Sequence, residues 1–118
     1  MILIVDDESL ILLALQARLE ELGYEVLVAT SGDEAYSLYN QHKTEIKYVI
    51  TDWVMPRMGG DTLVTTLRAD NPALRIIVTS GYPIGLQNPD DPIHEANFFL
   101  QKPFRTQDLV NAIQQLSY

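Results

Sequence analysis

The sequence lacks cysteine altogether, has no long apolar run, and carries half as many basic as acidic side chains. Without cysteine there is no disulfide, no thiolate zinc site and no cysteine nucleophile, and we expect a reducing, cytoplasmic compartment. The longest apolar run falls far short of the roughly 18 residues that a membrane helix requires. Acids follow Val5 directly, so we expect neither a signal peptide nor membrane insertion.

The excess of acidic residues narrows the choice of partners. Sixteen acidic against eight basic residues give a formal net charge of −8. Nucleic acids and anionic membranes are bound through basic patches, so we expect no direct nucleic-acid contact. Metal cations and basic protein surfaces remain as possible partners. The 118 residues, 47% of them hydrophobic, suffice for one domain with its own core, which we assign to residues 1–118.

Five short runs rich in β-branched residues alternate with longer amphipathic stretches. The first run is apolar throughout, as expected of a strand that is buried on both faces. Strands that alternate with helices form a parallel sheet with helices on both faces and right-handed crossovers, which is the α/β class. The predicted strands are residues 2–5, 25–29, 48–51, 75–79 and 97–100.

Most of the intervening stretches predict α-helices with recognisable ends. The first helix begins at Ser9, with leucines spaced by three or four residues up to Leu22. A Ser-x-x-Glu capping box at 31–34 opens the second helix, residues 59–61 open the third, and Thr106 caps the last.

The segment from 81 to 95 departs from this pattern. Three prolines forbid a long helix there, so the sequence predicts a short or irregular element. At most, Asp91-Pro92 starts a short helix with proline at its first position.

Three acids follow predicted strands at their carboxyl ends, where ligands bind in parallel sheets. Asp6 and Asp7 come after the first strand and Asp52 after the third. If these strands are neighbours, the three carboxylates converge, and like charges so close raise one another's pKa unless a cation lies among them. Mg²⁺ or Mn²⁺ takes such oxygens together with water. The alternative for each acid alone is a helix cap or a turn, but capping does not require acids on both strands.

Two further side chains follow strands toward the same edge. Lys102 precedes Pro103 after the fifth strand, and Ser80 follows the fourth. A cis Lys-Pro bond is one way to aim the ammonium inward, although an ordinary surface lysine and a turn-forming serine remain the alternatives. A metal, a carboxylate nucleophile, a lysine and a hydroxyl together predict a site that holds a phosphoryl group and forms an acyl phosphate on Asp52.

Four motifs fall at these strand ends in a characteristic order. Each is weak alone, but together they resemble the receiver domain of two-component response regulators over essentially all 118 residues. The resemblance implies a flavodoxin-like fold, in which a five-stranded parallel sheet of order 2-1-3-4-5 is flanked by five helices, here with the fourth short or irregular. The motifs are Ile4-Val5-Asp6-Asp7-Glu8, Asp52-Trp53-Val54-Met55-Pro56 with Met58-Gly59-Gly60, Thr79-Ser80-Gly81, and Lys102-Pro103-Phe104.

The resemblance assigns a role to each matching position. Asp52 matches the phospho-accepting aspartate, and Asp6 and Asp7 match the acidic pair that binds Mg²⁺. The backbone carbonyl of Val54 joins them as a metal ligand, and Lys102 matches the lysine that contacts the phosphoryl group.

The resemblance also implies a conformational switch. Thr79 and Ser80 are both candidates for its hydroxyl, and we choose Ser80 because Gly81 follows it and because it lies 22 residues before Lys102 (102 − 80). Phe99 matches the aromatic residue that rotates inward when the hydroxyl moves, with plain core packing as the alternative.

The implied partner is a histidine kinase or a histidine phosphotransfer domain that presents a phosphohistidine. The Ser-Gly-Tyr-Pro run is similar to receivers attached to hybrid sensor kinases. A weak homodimer is an option, and hydrolysis of the acyl phosphate by the domain itself is expected to be slow because Tyr82 partly shields the attacking water.

Three other classes compete with this interpretation. A dinucleotide-binding enzyme fits poorly, since Asp6-Asp7-Glu8 stands where a glycine-rich loop is needed. A carboxylate-nucleophile phosphohydrolase wants a second acid at position 54, which is Val54. A receiver-like interaction module that is never phosphorylated remains the third alternative.

Overall fold

The protein is an α/β fold built on a five-stranded parallel sheet of order β2-β1-β3-β4-β5. A computed structural model describes residues 1–81 and 90–117. The expected class, sheet order and alternation of strands and helices are confirmed. The elements are β1 (Ile2–Val5), α1 (Ser9–Glu21), β2 (Val26–Ala29), α2 (Gly32–Gln41), β3 (Tyr48–Asp52), α3 (Gly60–Asp70), β4 (Arg75–Ser80), a 3₁₀ helix (Pro92–Glu95), β5 (Phe98–Gln101) and α4 (Thr106–Gln115).

The strand register brings the carboxyl ends of the strands to one edge. Val5, the last residue of β1, pairs with Ala29 of β2 on one side and with Thr51 of β3 on the other. Asp52 pairs with Thr79 of β4. Because β1 and β3 are direct neighbours, the residues that follow them lie side by side at this edge.

Each face of the sheet is covered by a pair of helices, since successive strand residues point to opposite sides. Leu3 and Val5 of β1 pack in one core cluster with residues of α2 and α3. Ile2 and Ile4 pack in the other with residues of α1 and α4. All four are at most 2% exposed, which explains why the β1 sequence is apolar throughout.

The helix ends follow the sequence with two corrections. The Ser31 side chain caps α2, accepting a hydrogen bond from the Glu34 backbone N–H at 3.2 Å, as expected. Thr106, however, is the first residue of α4 rather than its cap, and the Asp108 carboxylate accepts from the Arg105 backbone N–H at 2.9 Å instead. Leu22 lies just beyond the end of α1 at Glu21 and is 58% exposed, so it is not part of the buried leucine face of the helix.

The short helix expected at Asp91-Pro92 is confirmed as the 3₁₀ helix. The Asp91 carboxylate caps it by accepting from the Ile93 backbone N–H at 3.0 Å, and Pro92 is its first residue. The rest of the segment in which we expected irregularity, 82–89, lies outside the described residues, and the predicted role of Tyr82 therefore stays untested.

The guanidinium of Arg68 joins α3 to three other segments. It donates to the carbonyl oxygens of Leu74 at 2.6 Å and Glu95 at 3.0 Å and to Oδ1 of Asn97 at 2.8 Å. Oδ1 of Asn97 also accepts from the Ile76 backbone N–H at 2.8 Å. One side chain thus ties α3, the start of β4, the 3₁₀ helix and the start of β5 together.

A second polar contact links α2 to the end of α3. The buried Tyr39 hydroxyl donates to Asp70 Oδ2 at 2.8 Å, and Lys43 Nζ lies 3.1 Å from Asp70 Oδ1. Burial, and then the hydrogen bond to Asp70, raises the pKa of Tyr39 to about 12. The hydrogen bonds from Tyr39 and then Lys43 hold the pKa of Asp70 below its usual value.

No helix in the described part of the chain is both long enough and apolar enough to cross a bilayer.

Candidate functional site

Three carboxylates meet at the carboxyl edge of the sheet. Asp6 follows β1 and is 2% exposed, Asp52 ends β3 and is 6% exposed, and Asp7 is exposed. One carboxylate oxygen from each lies within 4.8 Å of the other two. The expectation that these acids converge is therefore confirmed, and its physical cause is the pairing of β1 with β3.

The ammonium group of Lys102 lies among these acids. Its Nζ is 2.9 Å from Asp6 Oδ2 and 3.3 Å from Asp52 Oδ2. The Lys102–Pro103 peptide is cis, and the Lys102 backbone N–H donates to the Ser80 carbonyl at 2.7 Å. The lysine is only 15% exposed at its side chain, so the alternative of an ordinary surface lysine does not hold.

Opposing influences act on the pKa of Asp52. Burial raises it above its ordinary value, and the negative charge of Asp6 adds to the increase. The charge and hydrogen bond of Lys102 oppose this rise, as does a hydrogen bond from the Val54 backbone N–H. A carboxyl group with a raised pKa is more basic than one at the surface.

The same contacts keep Lys102 protonated. Burial alone would lower the pKa of the ammonium, but the hydrogen bond to Asp6 and the charges of Asp52 and Asp6 outweigh burial and raise it. Lys102 is therefore protonated at neutral pH beside these acids.

The candidate switch residues lie on β4 and β5. Ser80 ends β4 and is 2% exposed, and Thr79 before it is 3% exposed. Phe99 of β5 is half-buried and packs against the core cluster on the α2 and α3 side of the sheet, whereas Phe98 packs against the opposite cluster. The choice of Ser80 over Thr79, and the movement of Phe99, stay predictions.

A cavity of about 390 Å³ opens onto the carboxylates. The backbone N–H of Val54 faces Asp52, while its side chain is 57% exposed at the rim. Coordination of a metal by the Val54 carbonyl stays a prediction. The cavity is lined by Asp7, Glu8, Asp52, Val54, Gly81 and Lys102.

Sequence reasoning missed the position of Glu8 in this site. Its Oε1 lies 3.8 Å from Lys102 Nζ, and its backbone N–H donates to Asp6 Oδ1 at 2.9 Å. The signal was available, because Glu8 directly follows the two acids and precedes α1.

The loop after Asp52 is held tightly against the start of α3. The Gly60 backbone N–H donates to the Trp53 carbonyl at 3.0 Å, and the Trp53 N–H donates to the Thr79 carbonyl at 2.8 Å. A Cβ atom added at Gly60 would lie 2.5 Å from the Asp52 carbonyl oxygen and 2.7 Å from Trp53 Cα. Glycine is required here because the helix start contacts the backbone that carries Asp52.

The donor set fits a hard divalent cation. It consists of oxygens only, and three negative charges exceed what the single ammonium of Lys102 neutralises. Small hard cations such as Mg²⁺ bind one or two carboxylates and keep several waters, for which the open cavity leaves room.

Comparison with known proteins identifies the family of this chain. The family model of the response regulator receiver domain matches residues 2–114. The sensor kinase CckA of Brucella abortus (strain 2308) is 32% identical over 115 residues, which are 98% of this chain but 12% of that kinase. The response regulator receiver protein CpdR of the same organism is 31% identical over 115 residues, covering 98% of this chain and 94% of that protein.

A solved structure agrees with the fold. The response regulator protein TrrA of Thermotoga maritima, in complex with Mg²⁺-BeF, superposes with a TM-score of 0.86 at 28% identity, covering 98% of this chain and 97% of that one. The strand order, the acids at the sheet edge and the family match over residues 2–114 lead to one conclusion: the chain belongs to the response regulator receiver domains of two-component systems.

Proposed function

We propose that Asp52 is the phosphoacceptor of a two-component phosphorelay. An Asp52 carboxylate oxygen attacks the phosphorus of a phosphohistidine, the phosphorus–oxygen bond of an acyl phosphate forms, and the phosphorus–nitrogen bond breaks. The bonding pair returns to the imidazole nitrogen of the donor. The observation that carries the proposal is the cluster of three carboxylates with Lys102 3.3 Å from Asp52 Oδ2.

Asp6, Asp7 and Asp52 would hold the divalent cation, helped by the Val54 carbonyl. When bound, Mg²⁺ or Mn²⁺ supplies positive charge that offsets the negative charge of the phosphoryl oxygens. The oxygen-only donor set and the surplus of negative charge support this assignment.

Lys102 and Ser80 would hold the phosphoryl group once it is on Asp52. The ammonium already lies within hydrogen-bonding distance of the acceptor carboxylate, and its backbone is tied to Ser80 by the 2.7 Å bond between N–H and carbonyl. A displacement of the Ser80 backbone would therefore also displace the backbone of Lys102. Phe99 would follow, because β5 pairs with β4 through this part of the sheet, and the equilibrium between inactive and active conformations would shift.

The proposed partner is a histidine kinase or a histidine phosphotransfer domain. Two kinds of relative support it, one in which the matching segment is 12% of a sensor kinase and one that is nearly all receiver. The domain would later hydrolyse its own acyl phosphate with water.

Phosphorylation with a small-molecule donor tests the proposal without the cognate kinase. The protein is incubated with Mg²⁺ and acetyl phosphate, and its intact mass is measured; we expect the addition of one phosphoryl group, abolished by Asp52→Asn and by a chelator. Asp33→Asn is the matched control, since Asp33 is an exposed aspartate on α2, and it should label as the wild type does.

A beryllofluoride titration gives a second measurement. Trp53 is the single tryptophan and adjoins Asp52, so its emission should change when Mg²⁺ and the phosphoryl mimic bind. Labelling that survives Asp52→Asn would refute Asp52 as the acceptor. A protein that neither labels nor responds to Mg²⁺ would instead be an interaction module, and release of phosphate from added phosphate esters would favour a phosphohydrolase.

A further inference from the structure

Thr51 carries a buried hydroxyl directly before the proposed acceptor. The residue is 0% exposed, and its neighbours in the sheet are Val5 of β1 and Val78 of β4. Both valines belong to the core cluster on the α2 and α3 side. A third valine would fill the position of Thr51 without a polar atom, whereas a hydroxyl among apolar side chains is costly unless it has a hydrogen-bond partner.

That partner is the main chain of Asp52. Thr51 Oγ1 donates to the Asp52 carbonyl oxygen at 3.0 Å. β1 pairs with β3 only as far as Val5, and the backbone N–H of the next residue, Asp6, donates to Ala29 of β2 at 3.1 Å. In the part of the chain that the structure describes, no loop N–H donates to the Asp52 carbonyl. The hydroxyl therefore supplies the donor that a longer β1 would have supplied.

The peptide group between Asp52 and Trp53 is held at both of its polar atoms. Its carbonyl accepts from the Thr51 hydroxyl, and its N–H donates to the Thr79 carbonyl at 2.8 Å. The next N–H along the chain, that of Val54, donates to the Asp52 carboxylate. A rotation of this peptide group would therefore redirect the Val54 N–H and displace the carboxylate to which it is bonded.

We propose that Thr51 is a positioning residue for the Asp52 carboxylate and acts through its hydrogen bond to the Asp52 carbonyl. This inference rests on the proposed function, because it concerns the same acceptor. Since Thr51 is fully buried, it acts through this bond and not by contact with the phosphoryl donor. Its hydroxyl keeps the carboxylate in the orientation from which an oxygen can attack the phosphorus.

Two substitutions separate the hydroxyl from the shape of the side chain. Thr51→Val keeps the branched shape but removes the donor to the buried Asp52 carbonyl, and Thr51→Ser keeps the donor. With Mg²⁺ and acetyl phosphate both saturating, Thr51→Val should be labelled about tenfold more slowly, because small misplacements of a reacting group cost up to about a hundredfold in rate. The acetyl phosphate concentration that gives half the maximal rate should stay near the wild-type value, since the residues that line the cavity are unchanged. Thr51→Ser should restore most of the rate.

Thr66→Val is the matched control. Thr66 Oγ1 donates to the Thr62 carbonyl at 2.7 Å within α3, so the substitution removes a hydrogen bond of the same kind that does not touch the acceptor strand. It should leave the labelling rate unchanged. Thermal unfolding of every variant establishes that each is folded at the assay temperature, because a buried carbonyl that loses its donor also lowers stability.

Amide hydrogen exchange measures the positioning without any phosphoryl donor. The Trp53 N–H donates to the Thr79 carbonyl, and the Gly60 N–H donates to the Trp53 carbonyl at 3.0 Å. In Thr51→Val both amides should exchange about tenfold faster, beyond the change that the loss of global stability explains. The Ala35 amide, which donates to the Ser31 carbonyl at the start of α2, should follow global stability alone. A merely structural threonine would instead raise exchange throughout the core and leave the labelling rate unchanged.

The outcomes separate this inference from the proposed function. If the wild type is labelled on Asp52 and Thr51→Val is labelled equally fast, this inference alone is overturned. A Thr51→Ser variant as slow as Thr51→Val assigns the effect to shape and also overturns it, as does unchanged exchange at Trp53 and Gly60. If the wild type is not labelled at all, the proposed function fails, and the role of Thr51 in the attack fails with it.

Discussion

The contact between Gly60 and the backbone at the end of β3 yields the sharpest prediction. Gly60 is buried as the first residue of α3, and an alanine there would place its Cβ 2.5 Å from the Asp52 carbonyl oxygen, 2.7 Å from Trp53 Cα and 3.0 Å from the Trp53 carbonyl oxygen. All three atoms belong to the main chain, so no side chain can rotate away. Gly60→Ala therefore has to displace either the start of α3 or the end of β3.

The size of the effect follows from these distances. The nearest contact must open from 2.5 Å to at least the 3.4 Å of ordinary van der Waals contact. Overpacking of this kind typically costs about 1–3 kcal/mol. Alanine recovers roughly 0.5–1 kcal/mol over glycine in a helix, so we expect a net loss of about 1 kcal/mol in the free energy of unfolding. For a domain of this size that lowers the melting temperature by roughly 3–6 °C.

Urea unfolding followed by circular dichroism measures this loss. Gly81→Ala is the control, because a Cβ at Gly81 meets no atom within 4 Å although the residue lies beside the same site. Its stability should stay within about 0.5 kcal/mol of the wild type. Since the displaced atoms carry Asp52, Gly60→Ala should also weaken the Trp53 response to Mg²⁺. If Gly60→Ala unfolds at the wild-type urea concentration, or if both variants lose equal stability, the steric reasoning is wrong.

Two further predictions concern polar contacts between elements that are distant in the sequence. The pKa of Tyr39 is raised to about 12 from 10.0, so the stability that its protonated hydroxyl confers is complete below pH 10 and is lost as the pH rises toward 12. The wild type should thus lose about 2 kcal/mol more than Tyr39→Phe between pH 9 and 12 in urea unfolding, and parallel curves would exclude this contribution. Arg68→Lys should lower the free energy of unfolding by about 1–2 kcal/mol, because an ammonium cannot reproduce the planar set of donors to Leu74, Glu95 and Asn97. Arg18→Lys, an exposed change on α1, is its control, and equal stability of the two variants would contradict the proposed tie.

Local chemistry explains why much of the fold was predictable. The apolar β1 run, the Ser31 cap and the Asp91-Pro92 start each depend on residues within a few positions of one another. Short-range rules therefore suffice for them. The error at Thr106 concerns position, since the N-cap residue is Arg105 and the carboxylate that accepts from its backbone N–H belongs to Asp108, the third residue of α4.

In the candidate site, the sequence predicted only which residues follow the carboxyl ends of the strands. The convergence of Asp6 and Asp52 required only that β1 and β3 be neighbours. The place of Glu8 beside the two acids could be read from the sequence, but its distance of 3.8 Å from Lys102 could not, because that distance depends on the path of a long side chain from β5.

The sequence by itself determined the elements, the α/β class and the set of acids at the strand ends, because hydrophobic period and helix-end chemistry are local. The tertiary structure alone decided which charges meet. Lys102 is 96 residues from Asp6 and 50 from Asp52 along the chain, and only the order of the strands brings its ammonium between them. Arg68 likewise reaches Asn97 across 29 residues. Electrostatic contacts of this kind depend on distance in space, which no local pattern of residues encodes.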